Sequence, residues 1–158
     1  MSDILATIHP RPARRWFGIA IQGALGALVI SVGLVVSMDH ALIKFLILAA
    51  GGFLAWGALG LYKATTHHII LTREELRDSA GHLIARVDDI AGIDRGAFAF
   101  KPSQGFLVRL NTPLPRHWAP GLWWRVGRYV GVGGVTPAGE GKFMAEMLAA
   151  LVAERDGA

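Results

Sequence analysis

Phe17-Gly-Ile-Ala-Ile-Gln-Gly-Ala-Leu-Gly-Ala-Leu-Val-Ile-Ser-Val-Gly-Leu-Val-Val-Ser-Met38, then Asp39-His40, then Ala41-Leu-Ile-Lys-Phe-Leu-Ile-Leu-Ala-Ala-Gly-Gly-Phe-Leu-Ala-Trp-Gly-Ala-Leu-Gly-Leu-Tyr62: this stretch decides the fold. The first run carries no charge, and Gln22 is its most polar side chain. The second carries only Lys44. Each run is about 22 residues, roughly 33 Å of helix at ~1.5 Å per residue, enough to cross a ~30 Å hydrocarbon core. A helix in a water-soluble bundle keeps one polar side, and neither run has one. Residues 17–62 therefore read as a transmembrane helical hairpin.

Outward from the hairpin, residues 1–16 are a basic lead-in. Ile8-His9-Pro10-Arg11-Pro12 is too rich in proline for a helix, and Arg11, Arg14 and Arg15 sit beside the first span. A cleaved signal peptide would share that basic flank. The apolar stretch is too long for one, however, and a second span follows at once. Lys63, Arg73 and Arg77 follow the second span, whereas the intervening turn offers only Asp39, His40 and Lys44. Positive charge at both ends of the hairpin puts both termini in the cytoplasm and the Asp39-His40 turn outside. Trp16 and Tyr62 fall where an interfacial aromatic belt belongs, and Lys44 can snorkel to the outer surface. Gly23, Ala27 and Ser31 in the first span, and Gly51 and Ala55 in the second, form small-residue stripes. Such stripes let helices approach closely in lipid, either each other or a neighbouring protein.

A chain of 158 residues leaves room for one further domain, residues 65–158. Without cysteine, disulfides, thiolate metal sites and a cysteine nucleophile are excluded. The net charge of +4 is unevenly placed: eleven of the sixteen basic residues lie after residue 65 and face ten acids there. The domain is close to neutral, which disfavours nucleic acid as a partner.

From Thr65 onward, short alternating segments broken by turn signals read as β structure. His67–Thr72 is a strand. Glu75–Ser79 and Leu83–Val87 pair across an Ala80-Gly81 turn. Asp88–Ile93 reads as a bend before Phe98-Ala-Phe100, and Lys101–Gly105 as a turn. Phe106, Val108 and Leu110 alternate with Leu107, Arg109 and Asn111 as a half-buried strand. A proline-spaced loop follows from Thr112, then a strand over Trp123–Val132. Simple alternation puts Trp124, Val126, Val130 and Val132 on one face, and Trp123, Arg125 and Tyr129 on the other. Thr136 as N-cap and Pro137 as first helical residue open a closing helix over 137–155. Phe143, Met144, Met147, Leu148, Leu151 and Val152 are its apolar residues.

This order of elements resembles bacterial membrane proteins carrying a pleckstrin-homology-like (PH-like) domain. His68-Ile-Ile-Leu-Thr-Arg-Glu-Glu-Leu76 is similar to the strand by which that family enters its domain, and Val87-Asp-Asp-Ile-Ala-Gly-Ile93 to a strand-to-strand segment. The resemblance implies a membrane α+β protein: a two-helix hairpin, then a bent β-sandwich or barrel capped by the C-terminal helix. The Trp-, Pro- and Gly-rich passage 112–135 departs from it. The family supplies a fold rather than a reaction.

Motifs for chemistry are not met. Gly139-Glu-Gly141-Lys142 lacks both the leading glycine and the trailing hydroxyl of a phosphate loop, and Gly131-Val-Gly133-Gly134 lacks dinucleotide-fingerprint spacing. His67 and His68 point to opposite faces of a strand, and His9, His40, His82 and His117 are scattered, so no metal or other cofactor is expected. Asp88, Asp89 and Asp94 read as solvated turn residues, and no nucleophile partners them. The expectation is a non-enzymatic protein. A membrane-surface enzyme is the competing class, recognisable by a polar cleft with convergent titratable groups.

Between residues 101 and 139, Lys101, Arg109, Arg116, Arg125 and Arg128 meet no acid and interleave with His117, Trp118, Trp123, Trp124 and Tyr129. Three readings stand. The aromatics fill the core; or the passage docks on anionic lipid headgroups; or it binds a membrane protein partner, as in an accessory or assembly subunit of a larger, for example bioenergetic, complex. The binding residues for the last two are Arg116, Trp118, Trp123, Arg125, Arg128 and Tyr129.

Overall fold

The computed structural model describes residues 3–35, 40–94 and 102–157. The chain folds as two compact units, one over residues 12–63 and one combining the residues up to 11 with those from 64 onward.

The first unit is a pair of helices, α1 (Pro12–Val35) and α2 (Ala41–Ala64), each of 24 residues. Pro12 opens α1, where its missing N–H costs nothing. The helices touch backbone to backbone. A Cβ on Gly26 would lie 3.0 Å from the Ala55 nitrogen and 3.2 Å from the Gly51 carbonyl oxygen. Gly51 faces Ile30, Gly33 faces Ile47 and Leu48, and the Gln22 amide lies against Gly57. Gly51 and Ala55 thus sit on the contact, as the sequence suggests for α2. In α1 the packing stripe is a different one. A Cβ on Gly23 would meet nothing within 4 Å among the described residues, and Ala27 and Ser31 are exposed, the Ser31 hydroxyl donating to its own helix at the Ala27 carbonyl. Gly26 and Gly33, two turns apart, allow the closer approach and take the interface.

Outside that seam both helices are apolar and open: Leu28, Phe45, Phe53 and Trp56 are among many large side chains that face outward. Only 11% of the most apolar window of each helix is buried. Both are long and apolar enough to cross a membrane, and an uncovered apolar surface of that extent does not suit water.

The second unit holds two antiparallel sheets and a helix. The first sheet has the order β1 (Ile4–Ile8), β2 (Ile69–Thr72), β3 (Glu75–Asp78), β4 (Leu83–Arg86). A 3₁₀ turn at Val87–Asp89 leads to the second sheet: β5 (Ile90–Asp94), β6 (Phe106–Ala119), β7 (Trp123–Val132). Helix α3 (Ala138–Asp156) closes the unit. Ile8, Ile69, Leu71, Leu76 and Ile84 of the first sheet, Phe106, Val108, Leu110, Val130 and Val132 of the second, and Met144, Ala145 and Leu148 of α3 share one core. The fold is mixed α+β.

Four expectations change. The lead-in is not irregular: Ile4–Ile8 is a strand paired with β2, so the β unit includes residues on both sides of the helices. Asp88–Ile93 is not one bend, because the turn ends at Asp89 and Ile90–Asp94 pairs with β6; Phe98, Phe100 and Lys101 lie outside the described residues. The 112–119 passage is strand rather than loop. Pro113 and Pro115 are tolerated there because β5 pairs with β6 only as far as Leu110, leaving that flank an edge. The Asp89 carboxylate closes the flank by accepting from the Thr112 N–H (3.1 Å) and hydroxyl (2.6 Å). At α3, Pro137 rather than Thr136 takes the N-cap position, the Thr136 hydroxyl is buried with no hydrogen-bond partner among the described residues, and Phe143 is 53% exposed, off the buried stripe.

Candidate functional site

Two features of the β6–β7 hairpin gather chemistry: its outer face, and a polar cluster beneath its tip. Both follow from one irregularity. Arg109 pairs with Tyr129, Leu114 with Gly127, and His117 with Arg125, so the register slips on each side of Leu114. Gly127 has φ of +59°, the left-handed region that suits a bulge glycine. From the first of these pairs to the second β6 advances five residues against two on β7, from the second to the third three against two, and across this stretch the alternation along β7 inverts. Val130 and Val132 point inward on one side of the bulge, and Trp123 and Arg125 point inward on the other.

The inverted alternation corrects the expected binding residues. Trp123 is 1% exposed and Arg125 is 9% exposed, so both belong to the interior. Arg125 is held by backbone carbonyls: Nη1 donates to Leu83 (2.7 Å) and Ile84 (3.0 Å), and Nε to Pro115 (2.8 Å). It ties β7 to β4 of the other sheet, and burial lowers its pKa from the ordinary guanidinium value. Arg116, Trp118 (62%), Arg128 and Tyr129 (51%) are exposed. Trp118 stands opposite Trp124, and Arg109 opposite Tyr129. With Arg116 and Val126 at alternate positions, these residues share the outer face of the second sheet. The Trp124 ring lies on Gly131, at a distance that leaves no room for a Cβ there. The outer face thus gains Arg109, Trp124 and Val126, which sequence reasoning missed, and loses Trp123 and Arg125. Gly127 between two polar-aromatic segments was the signal that could have located the bulge.

Beneath the hairpin tip lies Asp78, the last residue of β3, with a side chain 3% exposed. Its Oδ1 accepts from the Ala80 N–H (3.0 Å) and the His82 N–H (2.9 Å), which shapes the β3–β4 turn. Its Oδ2 accepts from the Trp123 indole N–H (3.3 Å) and lies 3.0 Å from His82 Nδ1. The His117 ring stacks on Trp123 at 4.4 Å and 7°, and meets His82 at 4.8 Å. Burial first, then His82 and Arg125, hold His117 below the ordinary 6.5, with Asp78 pulling the other way. In sequence His82 reads as isolated, and the tight turn containing Gly81 was the signal that could have found its contact with Asp78. The approach of His117 had no such signal, because it comes from the other sheet.

A second histidine group forms where β1 meets β2: the His9 and His68 rings stack at 4.8 Å, and His67 Nδ1 lies 3.4 Å from the Ser79 hydroxyl. Burial, then His9 and His67, lower the pKa of His68 from 6.5.

Comparison with protein-family models, with curated proteins and with solved structures finds no match to this chain.

Proposed function

We propose that the chain is a two-span protein of a bacterial inner membrane whose β unit, of the PH-like type its element order resembles, docks on anionic lipid headgroups at the cytoplasmic surface without catalysing a reaction. The carrying observation is the outer face of the β5-β6-β7 sheet, where Arg109, Arg116, Trp118 and Trp124 lie exposed or half-buried together. Arginine supplies charge for phosphate, and indole rings suit headgroup depth. Arg109 and Arg116 together contribute about 2 kcal/mol at ~1 kcal/mol each, too little to recruit a free protein. A domain already tethered by two helices needs only orientation, for which that energy suffices.

The antiparallel pairing of β1 with β2 supports the two-span topology. Strands that hydrogen-bond to each other lie on one side of a membrane, so residues 12–63 between them cross an even number of times. Arg14, Arg15 and Lys63 at the ends of the helices favour the cytoplasm for that side. A second reading, an accessory subunit that binds a neighbouring membrane protein, draws on the uncovered Gly23, Ala27 and Ser31 stripe.

The test uses the full chain in nanodiscs. Because it has no cysteine, Asn111→Cys gives a single label on the outer face. Quenching by spin-labelled lipid should rise when neutral lipid is replaced by anionic lipid, fall with added salt, and be lost in Arg116→Glu with Trp118→Ala. Equal quenching in neutral and anionic discs would rule out headgroup docking.

A further inference from the structure

We infer that Asp78, His82 and His117 form a binding site for a divalent transition-metal ion of the zinc class. One donor atom from each of the three lies within 4.8 Å of the other two. An ion with bonds of about 2.0–2.1 Å in tetrahedral geometry holds its donors about 3.3–3.4 Å apart, so the side chains close on it by an ångström or so. Asp78 Oδ2 and His82 Nδ1, at 3.0 Å, already span one edge of such a site. The His82 ring, 55% exposed, is free to make the remaining adjustment.

Two imidazoles and one carboxylate select zinc and its neighbours over calcium or magnesium, which take oxygen ligands. The surroundings fix the donors as outer-shell partners do in metal sites. Backbone N–H groups of Ala80 and His82 hold Asp78 Oδ1, the Trp123 indole holds Oδ2, and Trp123 stacks against the His117 ring. The buried carboxylate supplies the negative charge. Arg125, 5.7 Å over the Trp123 ring, opposes the cation, although its Nη1 and Nε are committed to carbonyls. Three protein ligands leave a further position for water or a side chain from a partner. The ion would join the β3–β4 turn to β6 and so pin the two sheets together at the hairpin tip.

The experiment takes the full chain, purified in detergent without a polyhistidine tag, and titrates it with Co²⁺ and Zn²⁺ alone. One equivalent of Co²⁺ should produce saturable visible d–d absorption that Zn²⁺ removes, and Zn²⁺ should raise the melting temperature. His82→Ala, at an exposed ring, should weaken binding by more than about tenfold, since even outer-shell changes cost 10–100-fold. His117→Ala should do the same where circular dichroism shows it folded; His82→Ala decides the matter where it does not. His68→Ala, in the other histidine group, should bind as the native chain does. The proposal is overturned by the absence of saturable one-equivalent binding, by binding indifferent to His82→Ala, or by binding that His68→Ala removes.

Discussion

Ile8 and Ile69 stand opposite one another across β1 and β2, both fully buried, although the whole helical hairpin lies between them in sequence. The hairpin is therefore an insertion into a pair of adjacent strands, and the β unit cannot be cut out as a continuous piece.

A fragment of residues 65–158 lacks β1 and uncovers Ile69 and Leu71. It should lack a fixed tertiary near-ultraviolet signal, whereas residues 1–11 joined to 64–158 by a short Gly-Ser linker should fold. In that linked protein Ile8→Ala should cost about 2–5 kcal/mol by denaturant unfolding. A cooperatively folded 65–158 fragment would contradict the role of β1.

Trp123 and Trp118 should respond in opposite ways to substitution. Trp123→Ala opens a cavity in the core and should cost about 3–5 kcal/mol. Trp123→Phe keeps a ring but leaves Asp78 short of a donor, at about 1–3 kcal/mol. Trp118→Ala on the outer face should stay within about 0.5 kcal/mol while weakening lipid docking. Equal losses at the two positions in chemical denaturation would show that the face assignment across the Gly127 bulge is wrong.

Between the helices, Gly26→Leu meets the backbone of Ala55 and Gly51 and should destabilise the pair by about 1–3 kcal/mol, as overpacking does. Gly23→Leu enters open space and should leave it unchanged. Engineered cysteine pairs across α1 and α2 read this directly: cross-linking should fall in the first variant and persist in the second.

Acid should loosen the β unit through His68. Its folded pKa is lowered from 6.5, chiefly by burial and then by His9 and His67. Between the lowered value and 6.5 the unfolded chain binds more protons than the folded one. The stabilisation is therefore complete above about pH 6.5 and is lost as pH falls through the folded value. His68→Asn should flatten the profile of unfolding free energy against pH in that window; an unaltered profile would assign the acid sensitivity elsewhere.

Residue order alone carries whatever depends on local pattern. The two apolar runs, with Lys44 their single charge, spell two long helices, because hydropathy is a sum over neighbours. Period-two segments and Gly81 spell β3, its turn and β4, and the apolar residues from Met144 to Val152 spell the closing helix. Folding in three dimensions settles what depends on parity and on distant partners. Ile4–Ile8 is too short and too close to two prolines to announce a strand until β2 lies beside it. The irregular pairing around Gly127 exchanges Trp123 and Arg125 for Trp124 and Val126 on the outer face, since a change of parity along a strand inverts every side chain beyond it. Gly26 and Gly33 displace the Gly23 stripe because helix contact depends on which face the partner meets. His117 comes to Asp78 and His82 because β6 and β3, in different sheets, close over the same core.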